Sequence, residues 1–168
     1  MAAPNITLVL ATADHLRALA RSHAELGEVL GLTIPDGWPE FPEAIGFTLA
    51  RLDEHPGQSM WSMYFFVDAT AGELLGSGGY AFEPRDRVTE IGYEVAPAHR
   101  GRGVATAAAR ALVHRAFDSG EVDTVVAHTL AERNPSTGVL LRLGFEQAAE
   151  VPDPEVGMTW EWVLRRST

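Results

Sequence analysis

Residues 88–106 are Val-Thr-Glu-Ile-Gly-Tyr-Glu-Val-Ala-Pro-Ala-His-Arg-Gly-Arg-Gly-Val-Ala-Thr, and no other stretch says as much about the fold. The first eight of them are rich in β-branched and aromatic side chains, which predicts a strand. Pro97 ends this strand because proline cannot donate a ladder hydrogen bond. From Val104 onward, apolar residues recur at helical spacing, which predicts a long helix with one buried face.

The turn between this strand and this helix has the properties of an anion site. The helix begins without Ser, Asp or Asn at its N-cap, so its first amides lack a side-chain partner at the positive end of the helix dipole. Gly101 and Gly103 permit a ligand to approach closely, and Arg100 and Arg102 add positive charge. We therefore predict a diphosphate site here. The simpler alternative is that the two glycines only form a tight turn.

Two other phosphate-binding loops fit the sequence less well. The dinucleotide fingerprint requires a third glycine at position 106, where this chain has Thr106. The P-loop requires Gly-Lys-Ser/Thr, and the chain contains no lysine.

Two motifs together resemble the GNAT N-acetyltransferase superfamily. Arg100-x-x-Gly103-x-Ala105 matches its Gln/Arg-x-x-Gly-x-Gly/Ala motif, and the segment from Asn134 to Leu-Gly-Phe145 is similar to its Asn…Leu-Gly-Phe segment. The combination is most similar to the branch that contains ribosomal-protein N-acetyltransferases. The strong part of the match covers about residues 72–147.

The sequence pattern and the resemblance imply one α/β domain over residues 1–168. The predicted strands are 6–10, 61–67, 73–82, 88–95, 123–129, 144–149 and 158–164; the predicted helices lie within 14–30 (broken near Gly27 and Gly31), 42–52, 104–117 and 136–143. Residues 34–42 are predicted to form an irregular loop. Strand–helix–strand order from 89 to 129 implies a parallel pair, and the earlier hairpin implies antiparallel neighbours. The expected fold is a mostly antiparallel sheet with one splayed parallel pair, flanked by helices.

Composition narrows the class of protein. With 168 residues, 46% hydrophobic and 21% charged, the chain is an ordinary globular domain. No apolar run approaches the roughly 20 residues of a membrane helix, and the first residues lack the basic region of a signal peptide. We therefore expect a cytoplasmic protein that binds no membrane.

The net charge and the number of metal-ligating residues limit the kinds of ligand that the chain is expected to bind. The net charge of −10 argues against nucleic acid and is compatible with an amine substrate. The six histidines show no short ligand spacing, so we expect no metal site. The chain has no cysteine, which excludes disulfides and a cysteinyl acyl-enzyme.

By resemblance, the co-substrate is acetyl-CoA. Backbone groups of Tyr93, Glu94 and Val95 would bond its pantetheine arm like an added strand. The resemblance implies as cofactor-binding residues Tyr93, Glu94, Val95, Arg100, Gly101, Arg102, Gly103, Val104, Ala105, Thr106, Asn134 and Ser136. Two of these have structural alternatives: Asn134 as a turn residue before a proline, and Ser136 as the N-cap of the short helix.

Three residues are candidates for catalysis of direct amine attack within a ternary complex. Glu90 lies on the strand where the family often places a carboxylate base; the alternative is a solvated strand-edge acid. His128, on the following strand, could accept a proton near neutral pH, although a hydrogen-bonded structural histidine is the simpler interpretation. Ser136 would lie near the cofactor sulfur. Many family members have a general-acid tyrosine where this chain has Leu140, which cannot donate a proton.

The acceptor is expected to be a peptide N-terminus or a small-molecule amine, bound between the splayed strands, the 20–60 region and the hairpin at 65–75. Five aromatic residues could line this space or belong to the core: Trp38, Phe41, Trp61, Tyr64 and Tyr80. The resemblance also implies a possible homodimer. Two other functions remain open, a non-catalytic acyl-CoA-binding module and an unrelated binder of nucleotide phosphates.

Overall fold

The computed structural model describes residues 4–55 and 60–167. In this part of the chain seven strands and five helices follow one another as β1 (Thr7–Leu10), α1 (Ala13–Arg21), α2 (His23–Leu30), α3 (Glu43–Glu54), β2 (Met63–Asp68), β3 (Glu73–Tyr80), β4 (Val88–Val95), α4 (Val104–Asp118), β5 (Thr124–Leu130), α5 (Pro135–Arg142), β6 (Glu146–Asp153) and β7 (Gly157–Arg165). Within these described residues no helix is both long and apolar enough to span a bilayer.

The strands form one mixed sheet in the order β1-β2-β3-β4-β5-β7-β6. Of these neighbouring pairs, β4 and β5 run parallel and the others antiparallel. Helix α4 connects the parallel pair, because parallel neighbours need a long crossover. The predicted fold class is confirmed.

Alternating side chains on the strands build two separate cores. On β2, Tyr64 and Phe66 face a core with α4 and α5, and Phe65 faces a core with α1, α2 and α3. Strand β5 buries Val125 and Ala127 in the first core. The sheet therefore has α4 and α5 packed on one face and α1–α3 on the other.

The parallel pair separates after a short contact. Residues Val88–Glu90 of β4 are in register with Thr124–Val126 of β5, and the pairing in the described structure stops there. Strand β4 continues to Val95 along β3, and β5 continues to Leu130 along β7. The gap that opens between them faces the N-termini of α4 and α5. The splayed pair expected from the resemblance is therefore present.

One helix break lies elsewhere than predicted. The chain leaves the helical conformation at Ser22, whose hydroxyl accepts a hydrogen bond from the Glu25 amide and caps α2. Gly27 remains inside α2, where a Cβ atom would lie 2.9 Å from the Leu32 carbonyl oxygen. Its role is close packing rather than a break. The predicted end near Gly31 is confirmed, because this residue is left-handed with φ +69°.

Candidate active site

The Arg/Gly turn folds as its sequence predicted. Gly101 and Gly103 have φ values of +75° and +78°, which L side chains adopt with strain. Gly103 is the N-cap of α4, and no side chain caps the helix. A Cβ atom on Gly101 would meet nothing within 4 Å, so the space beside the turn is open. The first amides of α4 are thus available to an anion.

An open cavity of about 800 Å³, which we name the arginine cleft, lies against this turn. Four arginines line it: Arg100, Arg102, Arg110 and Arg142. Most of the remaining lining comes from the end of β4, the Arg/Gly turn, the first turns of α4 and the start of α5, with Pro4 and His99 beside them. In a chain of net charge −10, this concentration of positive groups marks a site for an anionic ligand.

The structure brings together most of the predicted cofactor-binding residues. Tyr93–Val95, Arg100–Thr106 and Ser136 all line the arginine cleft, and Asn134 is not among its lining residues. The sequence analysis missed Arg110 and Arg142. Arg110 stands seven residues after Gly103, two helical turns along the same face, so its spacing could have identified it. Arg142 belongs to another helix, and only the packing of α5 beside α4 places it here.

Arg100 has an additional role. Its Nε donates to the Val95 carbonyl at 3.0 Å, and its Nη2 lies 3.2 Å from Glu40 Oε2 in the 34–42 loop. Glu94 holds the same loop, because its Oε1 accepts from the Glu40 amide at 2.7 Å. Burial raises the pKa of Glu94 despite this hydrogen bond. Arg100 therefore anchors the loop to β4, and Glu40 balances part of its charge.

Asn134, rather than Ser136, is the N-cap of α5. Asn134 Oδ1 accepts from the Thr137 amide, and Thr137 Oγ1 accepts from the Asn134 amide, both at 3.0 Å. The prediction that Ser136 caps the helix is wrong, because Pro135 already occupies the first helical position. The Ser136 side chain therefore does not cap the helix, and its Oγ lies within hydrogen-bonding distance of the Tyr93 hydroxyl, at 3.2 Å.

On the opposite face of β4 lies a second cavity of about 380 Å³, which we name the glycine cleft. Glu90, Gly92 and Glu94 all line it, which confirms that the two glutamates share a face of a regular strand. Gly78 and Gly79 of β3 lie beside them.

The glycines of β3 let the two strands lie close together. A Cβ atom on Gly78 would overlap the Gly92 carbonyl oxygen, so a larger residue there would push β3 away from β4. A Cβ atom on Gly92 would instead meet nothing within 4 Å. Its missing side chain keeps the cleft open.

The aromatic residues divide between this cleft and the core. Phe41 and Tyr80, two of the five candidates for the acceptor space, line the glycine cleft. Trp38, Trp61 and Tyr64 are absent from its lining and belong to the hydrophobic cores, with 1%, 5% and 2% of their surfaces exposed. Residues 65–75 of the hairpin do not line this cleft, which residues 62–63 and 77–80 border instead.

Three titratable side chains from the neighbouring strands β4, β5 and β7 contact one another. His128 Nδ1 lies 2.5 Å from Glu90 Oε1, and His128 Nε2 lies 3.3 Å from Glu161 Oε2. All three side chains are about one-third exposed. The structure thus joins two predicted catalytic residues and adds Glu161, which sequence analysis missed. Its β7 position opposite His128 depends on a long-range strand register that local patterning does not reveal.

A family profile described as "Acetyltransferase (GNAT) domain" matches residues 5–146. The chain belongs to this family. A ribosomal-protein-serine acetyltransferase of Escherichia coli K12 is 30% identical over 114 residues, a segment that covers 64% of this chain and 62% of that protein. The chain thus spans under two thirds of that relative's length.

Solved structures of other family members share the fold of this GNAT domain. The ribosomal-protein-S5-alanine acetyltransferase of Vibrio fischeri superimposes with a TM-score of 0.71 at 15% identity, covering 99% of this chain and 96% of that one. A spermidine/spermine N-acetyltransferase of Vibrio cholerae gives a TM-score of 0.68 at 15% identity, covering 96% and 95%. At this identity the likeness shows the fold alone.

The anion site of this GNAT domain can be tested by introducing a negative charge. We expect Gly103→Glu to lower the affinity for coenzyme A about 100-fold, since like charges placed together cost several kcal/mol. The measurement is isothermal calorimetry. Gly120→Glu is the control, because Gly120 has a matching φ of +77° at the other end of α4. Equal affinities of the two variants would show that the Arg/Gly turn binds no phosphate.

Proposed function

We propose that this protein transfers the acetyl group of acetyl-CoA to a primary amine by direct attack in a ternary complex. The observation that carries this function is the meeting of the two clefts. The arginine cleft and the glycine cleft lie on opposite faces of the sheet, and Tyr93 and Glu94 line both of them. An acyl donor in the first cleft and an amine in the second would meet at β4.

The residues of the arginine cleft fit coenzyme A. The open left-handed turn and the uncapped α4 offer amides to a diphosphate. Arg110 and Arg142 supply charge for the remaining phosphate of the nucleotide. Beyond Glu90, β4 lacks a paired β5 neighbour in the described structure, so its backbone suits an extended amide-bearing arm.

The glycine cleft fits a small, positively charged acceptor. Glu90 and Glu94 lie at positions i and i+4 of β4, with Gly92 between them and only backbone at the centre. Carboxylates on both sides of an open floor favour an ammonium group over an anion. The serine and alanine named for two relatives point to a protein N-terminus, and the spermidine named for a third points to a polyamine. Both are primary amines.

Glu90 is our candidate for the base. An amine attacks only when neutral, and an α-amine with a pKa of about 7.7–8.0 is much closer to this state at pH 7 than a lysine at about 10.4. Glu90 lines the glycine cleft and contacts His128. A proton that Glu90 takes from the ammonium group can therefore pass to His128 and on toward solvent. The chain has no cysteine, which leaves direct attack as the economical route.

Release of free thiol from acetyl-CoA tests the proposal. Purified protein is incubated with acetyl-CoA and, separately, with peptides ending in serine or alanine, with spermidine and with amino acids. We expect thiol release with at least one of these amines and a matching mass increase of one acetyl group. Binding of acetyl-CoA without turnover on any of them would instead support the non-catalytic acyl-CoA-binding module. An absence of binding would contradict the assignment of the arginine cleft.

Replacement of the base should slow turnover without affecting the cofactor. We expect Glu90→Gln to lower kcat about 100-fold, because a positioned base contributes at least this much. Calorimetry should show acetyl-CoA affinity within about twofold of wild type. Glu121→Gln is the control, since Glu121 is exposed at the far end of α4. An unchanged kcat in Glu90→Gln would remove Glu90 from the mechanism.

A side chain at position 92 should block the acceptor and spare the cofactor. Because a Cβ atom there meets nothing within 4 Å, Gly92→Leu can fold with its side chain in the glycine cleft. We expect Gly92→Leu to lower kcat/KM for the amine about 10- to 100-fold and to leave the acetyl-CoA affinity unchanged. The kcat/KM of Gly92→Ala should lie between those of Gly92→Leu and wild type. Loss of cofactor affinity with unchanged acceptor kinetics would contradict the assignment of the two clefts.

A further inference from the structure

Tyr93 occupies the junction of the two clefts. It lines both of them, and its hydroxyl lies 3.2 Å from Ser136 Oγ and 3.4 Å from the Ser136 carbonyl oxygen at the start of α5. The side chain thus extends from β4 to the start of α5, on the face of the sheet that carries α4 and α5. No other described residue that lines both clefts carries a hydroxyl, since the second shared residue is Glu94.

A hydrogen-bond donor near the departing sulfur would accelerate acetyl transfer. When the carbon–sulfur bond breaks, its electron pair stays on sulfur, and a thiolate in a partly dry cleft needs a donor. Leu140 is fully buried, and its hydrocarbon side chain has no hydrogen-bond donor. Glu94 faces the 34–42 loop through the Glu40 amide. Tyr93 is therefore the hydroxyl-bearing residue among the described residues that line both clefts, and its hydroxyl lies beside Ser136 in the arginine cleft.

We infer that the Tyr93 hydroxyl, supported by Ser136, is the general acid that protonates the departing thiolate; this inference rests on the proposed function. The amine nitrogen forms its bond to the acyl carbon, the carbon–sulfur bond breaks, and the phenolic proton passes to sulfur. The Ser136 hydroxyl proton replaces the one that the phenol gives up, and water replaces that of Ser136. The proton lost by the amine goes to Glu90 and from there to the hydroxide that the donating water leaves behind, so charge and protons balance.

The surroundings of Tyr93 keep its phenol protonated. Burial raises the pKa of the Tyr93 phenol, which the hydrogen bond with Ser136 partly opposes. The phenol therefore stays protonated throughout the neutral range. Because this pKa exceeds that of a free thiol near 8.5, transfer to sulfur is completed when the phenolate regains a proton from solvent through Ser136.

Kinetics with two leaving groups tests this role. We expect Tyr93→Phe to lower kcat with acetyl-CoA about 10- to 100-fold, the low end for general acids because a thiolate is already a fair leaving group. The selenium analogue of acetyl-CoA releases a selenolate, a weaker base that needs less help from an acid. The loss in Tyr93→Phe should therefore shrink to less than about threefold with this analogue.

Equilibrium binding provides a second readout that does not depend on turnover. A donor beside the sulfur favours the thiolate form of bound coenzyme A, so wild-type affinity should rise from pH 7 to pH 9 relative to desulfo-coenzyme A, which has no thiol. In Tyr93→Phe this rise should be smaller. Glu94 is present in both proteins, so its charge cancels in the comparison. Tyr64→Phe is the matched control, because its hydroxyl donates to the Met60 carbonyl in the core.

The outcomes separate this inference from the proposed function. If wild type acetylates amines and Tyr93→Phe keeps its kcat within twofold, the enzyme stands and the acid role of Tyr93 falls. Equal losses with the sulfur and selenium donors, together with an unchanged pH dependence of binding, would reduce Tyr93 to a packing residue. If wild type transfers no acetyl group to any amine, the proposed function falls and this inference with it.

Discussion

The separation of β4 from β5 is the constraint on which the rest of the site depends. These parallel strands pair over three residues each and then follow different neighbours, β3 on one side and β7 on the other. A sheet normally satisfies its backbone groups in the next strand, so the unpaired end of β4 needs another partner. At the same opening, Tyr93 lines both clefts, and α4 and α5 point their N-termini at one cavity.

Charge placement follows from this geometry. The chain is acidic overall, yet four arginines line the arginine cleft, while Glu90 and Glu94 line the glycine cleft on the opposite face. The two clefts therefore favour ligands of opposite charge that meet at one strand. Glu94 and Arg100 also hold the 34–42 loop through Glu40, so the two clefts share a wall.

Much of the fold and part of the site could be predicted from local patterns. The uncapped helix after Gly103 and the shared face of Glu90 and Glu94 depend on residues close in sequence, and the parallel pair follows from the strand–helix–strand order. Other features depend on long-range packing, as with Glu161, which reaches His128 through the β5–β7 register. The cap of α5 was misassigned because Asn134 and Ser136 are both good caps, and Pro135 at the first helical position decides between them.

A crystal structure of the protein with coenzyme A tests the central claim most directly. We expect the diphosphate at the amides of residues 101–106, the pantetheine arm between β4 and β5, and the sulfur within hydrogen-bonding distance of the Tyr93 hydroxyl. Coenzyme A bound outside the gap, or a gap closed by continued pairing of β4 with β5, would contradict the account. In either case the meeting of the two clefts at Tyr93 would have no bearing on the reaction.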